Sequence, residues 1–96
     1  MAKIGKSPKA ETDLEDIWLY SFKQWNEHQA DQYYDELIDG INRLTNNPQL
    51  GKSRESIGRG YRSLQINRHV IYYRLQKQTI DIVRVLHERR EPNEHL

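Results

Sequence analysis

Four arginines and a histidine in the second half of the chain have side chains suited to phosphodiester chemistry. Arg62, Arg68, Arg74 and Arg84 recur through that half, and His87 follows them. Cleavage of RNA without a metal needs a base for the 2′-OH, an acid for the departing 5′-oxygen and cations for the phosphorane charge. His87 can serve as acid or base and the arginines as cations, and Lys52 or Glu55 could contribute from the loop before them. The residue types are present, but their specificity is low, because a basic chain of this kind offers arginine and histidine somewhere in any case. Glu88 follows His87 directly and could simply pair with it, and a strand-end hydrogen bond is the plainer role for that ring.

Other chemistries have less support. The chain has no cysteine, which excludes disulfides, thiolate metal sites and a cysteine nucleophile. His28, His69, His87 and His95 show no close spacing of the kind a zinc site uses. The segment GKSRESIGRG lacks the spacing of a phosphate-binding P-loop. The expectation is therefore no metal and no cofactor. MAKIGKSPKA carries no long apolar run, and no stretch approaches the ~18 apolar residues of a membrane span. A cytoplasmic protein with no membrane partner is expected.

The elements that must position these residues follow from the hydrophobic pattern. The chain has 96 residues, 35% of them apolar and 30% charged, which predicts a single domain over 1–96 with a small core. Residues 1–6 alternate weakly around Ile4 and predict a short strand. Ser7-Pro8 is a helix start, with Ser7 as N-cap and Pro8 at the first helical position. Ala10, Leu14, Ile17, Trp18, Ser21 and Trp25 recur at helical spacing, giving a helix over 8–25. Asn26 and Gln29 resemble a capping box and open a second helix over 27–46, with its stripe at Ala30, Tyr33, Tyr34, Leu37, Ile38, Ile41 and Leu44. So short a connection makes the two an antiparallel hairpin. Gly40 within the second helix would permit close approach of another element.

A polar loop over 47–60 leads to three runs rich in Ile, Val and Tyr, at 61–66, 69–75 and 79–87, separated by short turns. They read as an antiparallel meander, followed by a tail over 88–96. The order is β-α-α-β-β-β, an α+β fold. Two of these strands are apolar on both faces, whereas a single helical hairpin can cover only one. Either the loop, the tail and the stems of Arg and Tyr cover the second face, or another protein chain does.

Charge is unevenly spread. The net is +1, but residues 1–50 hold 5 Lys/Arg against 9 Asp/Glu, and residues 51–96 hold 10 against 5, eight of the ten being Arg. Such a dipolar chain presents one basic surface suited to an acidic partner.

SPKAETDLEDIWLY, QADQYYDELIDGINRLTNNPQLG, GYRSLQINRHVIYYRL and IDIVRVLHERR, in this order, resemble the ParE branch of the RelE/ParE toxins across roughly Ile4 to Leu96. The most specific pieces are NPQLG, RHVIYYR and RVLHERR. The resemblance implies the RelE/ParE-like fold, a twisted antiparallel sheet with a helical hairpin packed on one face. It also implies the toxin of a type II toxin–antitoxin system, acting in plasmid or chromosome stability. Its partner would be a ParD-like antitoxin, through which alone it would meet operator DNA.

The superfamily has two functional branches. The RelE branch cleaves mRNA on the ribosome with basic side chains and a late Tyr or His, which here would be His87 with Arg84 and Arg62. The ParE branch is associated with inhibition of DNA gyrase, trapping its DNA-cleavage intermediate without catalysis of its own. The loop lacks a lysine-rich run and RVLHERR looks like the ParE ending, so gyrase is the expected target. The expected target-binding residues are Arg68, Arg84, His87, Arg89 and Arg90, and the expected antitoxin-binding residues are Leu14, Trp18, Trp25, Tyr72 and Arg74. By spacing alone, Trp18 and Trp25 pack in the core; if exposed, they are natural antitoxin contacts. A partner-binding module without toxicity is the third alternative.

Overall fold

The computed structural model describes residues 2–96, so Met1, the first residue of the expected first strand, lies outside the described residues. In chain order the elements are β1 (Lys3–Lys6), α1 (Pro8–Gln24), α2 (Glu27–Arg43), β2 (Lys52–Ser53), β3 (Tyr61–Ile66), β4 (His69–Gln76) and β5 (Thr79–His87), with a 3-10 turn at Pro92–Glu94. Ser7 caps α1 by accepting from the Ala10 N–H at 3.0 Å, and its hydroxyl donates to the Val83 carbonyl at 2.8 Å, which ties the helix start to β5. Asn26 caps α2 by accepting from the Gln29 N–H at 2.8 Å. α2 ends at Arg43, short of residue 46, and Leu44 to Asn46 form a turn.

The sheet order is β1-β5-β4-β3-β2. Strands β3, β4 and β5 form an antiparallel meander whose two tight turns place Asn67 (φ 54°) and Lys77 (φ 52°) in the left-handed region. β1 joins the edge beside β5 in parallel, with Ile4 opposite Ile80, because the helical hairpin returns the chain across one face before the meander begins. The sheet is therefore mixed, antiparallel everywhere except at β1. β2 is a two-residue strand within the loop that precedes β3.

The hairpin packs on one face of the sheet. Leu14, Leu37, Ile41 and Leu44 meet Ile71, Tyr73, Ile80, Ile82 and Val85 in one apolar cluster. Gly40 makes this possible, since a Cβ there would lie 2.8 Å from the Ile66 side chain on β3. A single bulge accounts for much of the two-sided apolar pattern in the last strand. Tyr72 pairs with Arg84 but Tyr73 with Ile82, which leaves Val83 as an extra residue on β5. One extra residue reverses the alternation, so Ile80, Ile82 and Val85 all reach the core although their spacing is not strictly two.

The opposite face is covered by the chain itself. Tyr72 and Leu86 are each 4% exposed, and Pro92 of the C-terminal turn is buried. The Arg54 guanidinium lies 5.7 Å from the centre of the Tyr72 ring. Of the two covers considered for that face, the loop and tail supply this one.

Candidate functional site

The residues expected to do chemistry are held at separate places. Arg62 donates from Nε to the Gly51 carbonyl at 2.9 Å and from Nη2 to the Gln49 carbonyl at 3.2 Å. Tyr73 completes this stitching, accepting from the Gly51 N–H at 3.0 Å and donating to the Pro48 carbonyl at 2.7 Å. These contacts explain the NPQLG turn. Gly51 is fitted so closely that a Cβ would lie 2.6 Å from the Ser63 carbonyl oxygen. Arg62 is a loop anchor.

Arg84 forms a two-pronged ion pair with Asp13 of α1, both N···O distances being 2.8 Å, with side chains only 16% and 13% exposed. Asp13 also accepts from the Val85 N–H at 3.0 Å, beyond the point where β1 stops pairing with β5. Arg84 donates a further bond to the His95 carbonyl at 2.9 Å, fixing the tail. This arginine joins helix, strand and tail, so it offers a target neither a free guanidinium nor a catalytic cation.

His87 lies opposite His69 across β4 and β5, with ring centres 5.3 Å apart. The sequence spacing of the histidines gave no hint of this pairing. Tyr33 of α2 contacts the His69 Nδ1 at 2.6 Å. Burial, reinforced by the neighbouring His87, lowers the His69 pKa to about 4, so the ring is neutral near pH 7. Burial also raises the Tyr33 pKa, so its hydroxyl keeps its proton; it shares a hydrogen bond with Nδ1 and accepts from the Arg68 N–H at 3.3 Å. His87 accepts from the Arg89 N–H at 3.2 Å, the strand-end role. Glu88 does not take up His87; it pairs with Arg68 at 3.4 Å and accepts from Gln65 at 2.8 Å. No group of three or more potential metal ligands gathers among the described residues.

Arg62 sits four residues along β3 from Ile66, which pairs with His69 beside His87, so Arg62 and His87 start roughly 13 Å apart along the strands. The ribonuclease set His87, Arg84 and Arg62 is thus dispersed. Of the expected target-binding residues, Arg68, Arg89 and Arg90 are exposed at one end of the sheet, His87 is half-buried and Arg84 is committed to Asp13.

The expected antitoxin contacts divide in the same way. Leu14 is 3% exposed and belongs to the core, so it presents no surface to a partner. Tyr72 is buried under Arg54 and the tail, and Arg74 donates to the Arg59 carbonyl at 3.0 Å beside the Tyr61 ring. The tryptophans depart from the core role that their spacing predicts. Trp25 is 65% exposed as the C-cap of α1, where the backbone has left the helical conformation. Trp18 is half-buried, stacked on Phe22 at 5.3 Å and donating to Asp31 at 2.8 Å.

With Leu19 and Phe22, each 46% exposed, the tryptophans form an apolar ridge on the outside of the hairpin. A shallow depression beside it is lined by Glu15, Trp18, Leu19, Asp31 and Tyr34. Sequence reasoning passed over Leu19 and Phe22. The available signal was that Trp18, Leu19 and Phe22 form a second stripe on α1, beyond the one that Leu14 and Ser21 commit to the sheet. No helix among the described residues is long and apolar enough to cross a membrane.

Comparison with known proteins places the whole architecture. Residues 6–92 match the model of a family described as the ParE toxin of the type II toxin-antitoxin system, parDE. Toxin ParE1 of Mycobacterium tuberculosis is 41% identical over 91 residues, covering 94% of this chain and 93% of that protein. Toxin ParE1 of Caulobacter vibrioides is 37% identical over 90 residues, with the same coverage. A solved structure titled as the chromosomal ParDE TA system from P. aeruginosa superposes with a TM-score of 0.79 at 20% identity, covering 91% of this chain and 96% of that one, a likeness of fold.

Proposed function

The chain belongs to the ParE toxin family of type II toxin–antitoxin systems, and from that premise we propose that it inhibits DNA gyrase by trapping the DNA-cleavage intermediate and is neutralised by a ParD-like antitoxin. The observation that carries this reading over ribosome-dependent RNA cleavage is the dispersal of Arg62, Arg84 and His87. Arg62 holds the NPQLG turn, Arg84 holds Asp13, and His87 stands on the Tyr33 side of the sheet among half-buried rings. General acid–base cleavage needs its groups within reach of one phosphate, and these side chains already have other partners. A binding inhibitor makes no such demand.

The antitoxin's natural seat is the ridge of Trp18, Leu19, Phe22 and Trp25. Exposed tryptophan and phenylalanine on one helix make a typical energetic centre of an interface. Glu15 and Asp31 flank the ridge, so the segment that covers it should be apolar with basic neighbours. The acidic antitoxin suggested by charge composition alone suits the other side of the molecule. Arg68, Arg89 and Arg90 are the exposed candidates for target contact.

DNA supercoiling by purified gyrase, titrated with antitoxin-free protein, tests the proposal. Inhibition with accumulation of cleaved DNA, relieved by the cognate antitoxin, is expected. Full supercoiling at excess of demonstrably folded protein would remove gyrase as the target.

A further inference from the structure

The arginines of this chain fall into two groups. Arg43, Arg68 and Arg84 pair with carboxylates, while Arg62 and Arg74 donate to backbone carbonyls. Among the described residues Arg54, Arg59, Arg89 and Arg90 do neither, and all of these but Arg59 line one cleft, together with Lys52, which has no carboxylate partner either. This cleft lies on the sheet face away from the helices, between the loop before β3 and the C-terminal tail. Its volume is about 790 Å³, within the usual range of ligand sites. Its two carboxylates are Glu88, held by Arg68 and Gln65, and Glu91, beside the C-terminal turn. The cations therefore outnumber the acids by four to two, and one of the acids is already neutralised.

The cleft also has polar groups at its base. Ser63 and Tyr72, opposite one another on β3 and β4, are only 5% and 4% exposed, and both line it. Neither hydroxyl makes a hydrogen bond to another described residue. Among the described residues no fully enclosed side-chain oxygen or nitrogen is left without a partner, so both hydroxyls keep some access to solvent, and both residues line the cleft. Burial raises the Tyr72 pKa, and the ring hydroxyl keeps its proton as a donor. Cations without carboxylate partners, with hydroxyl donors beside them, match an anionic ligand with several oxygens in a row.

We propose that this cleft binds the phosphodiester backbone of a single strand of nucleic acid, with Arg54, Arg89, Arg90 and Lys52 meeting phosphates and the Ser63 and Tyr72 hydroxyls donating to one of them. A strand fits better than a single phosphate because the cations come from two walls of an open trough. The Arg54 guanidinium, 5.7 Å from the centre of the Tyr72 ring, is planar and suited to stacking on a base as well. The inference stands on the cleft alone. Should the gyrase reading also hold, the strand is the cleaved DNA, and the toxin would grip the nucleic acid as well as the enzyme.

The test uses the full chain free of antitoxin and fluorescence anisotropy of labelled oligothymidylate and oligouridylate, each about 12 nucleotides long. Binding to one or both is expected, weakening steeply as salt rises. Arg54→Gln and Arg89→Gln should each weaken it about three- to tenfold and reduce the salt slope by about one. Tyr72→Phe should weaken it several-fold with the slope unchanged, since it removes a hydrogen bond and no charge. Arg43→Gln, on α2 and not among the residues that line the cleft, should leave it as it was. Thermal melts confirm that each variant is folded.

No binding by the folded chain at low salt would overturn the proposal, as would an equal loss from Arg43→Gln and Arg54→Gln. The ratio of thymidylate to uridylate affinity separates DNA from RNA as the source of the backbone. Gyrase inhibition without strand binding would refute the cleft and leave the gyrase reading intact; strand binding without inhibition would do the reverse.

Discussion

The outer face of the helical hairpin and the far face of the sheet are built from opposite materials. The hairpin carries an aromatic ridge bordered by carboxylates, with Trp18, Leu19, Phe22 and Trp25 set beside Glu15 and Asp31. The sheet carries a trough of unpaired cations over two hydroxyls. The charge split between the halves of the chain is thus a split between two layers, each with its own kind of partner. Apolar contact on the hairpin should give slow dissociation with little dependence on salt, whereas cation contact on the sheet should be salt-sensitive.

The largest effect is expected where the two layers are joined. Asp13→Ala would leave the Arg84 guanidinium without its partner in a site where only 16% of that side chain is exposed, and would strip the acceptor from the Val85 N–H. Losing one member of such a pair costs about 3–5 kcal/mol, a large share of the margin of a domain this small. Urea denaturation should show it, and both surfaces should lose their partners together. A loss below about 1 kcal/mol, typical of a solvent-exposed pair, would mean the seam is not what holds the layers in register.

A smaller and more selective effect separates the surfaces. Trp25→Ala should weaken antitoxin binding by about 1–3 kcal/mol while scarcely changing the melting temperature, because that ring is 65% exposed. Isothermal titration at two salt concentrations would measure it. Strand binding in the same variant should equal that of the unaltered protein. If the antitoxin does not respond to Trp25→Ala combined with Phe22→Ala, the ridge is not its seat.

The smallest effect belongs to neither surface and serves as the control. The unfolded chain protonates His69 near its ordinary value of 6.5, and the folded chain only at about 4. Between those values the unfolded state binds more protons, so stability is full above about pH 6.5 and falls as pH drops towards 4. Solvent screening at this half-buried ring should hold the loss to about 1 kcal/mol. His69→Gln, which keeps an acceptor for Tyr33 but cannot titrate there, should flatten that part of a stability–pH curve. An unchanged slope in the variant would place the titrating group elsewhere.

How much of this was legible depends on how local each feature is. The Ser7 and Asn26 caps, the helix stripes and the meander all depend on neighbours within a few residues, and patterns of three, four or two declare them. The family could be recognised because NPQLG, RHVIYYR and RVLHERR occur in order, although why NPQLG matters needed Tyr73 and Arg62. The site was less legible. An arginine in a sequence is a cation; whether it is free depends on partners such as Asp13, 71 positions from Arg84. Leu14 and Trp25 share a helical stripe by spacing, yet one is core and the other surface, because α1 ends at Gln24 and the non-helical backbone of Trp25, its C-cap, takes the ring off that stripe.

The sequence by itself determined the order of elements, the faces that must be buried, the charge division and the family. The tertiary structure alone decided the parallel seat of β1, the availability of each arginine and the pairing of His69 with His87. That last pairing turns on one residue. Were Val83 paired in the ladder instead of bulged, the register running from Gln76 and Thr79 would set His69 opposite Leu86. A bulge has no strong local signature, because it is chosen by how the whole sheet twists beneath the hairpin, and its consequences appear several residues away.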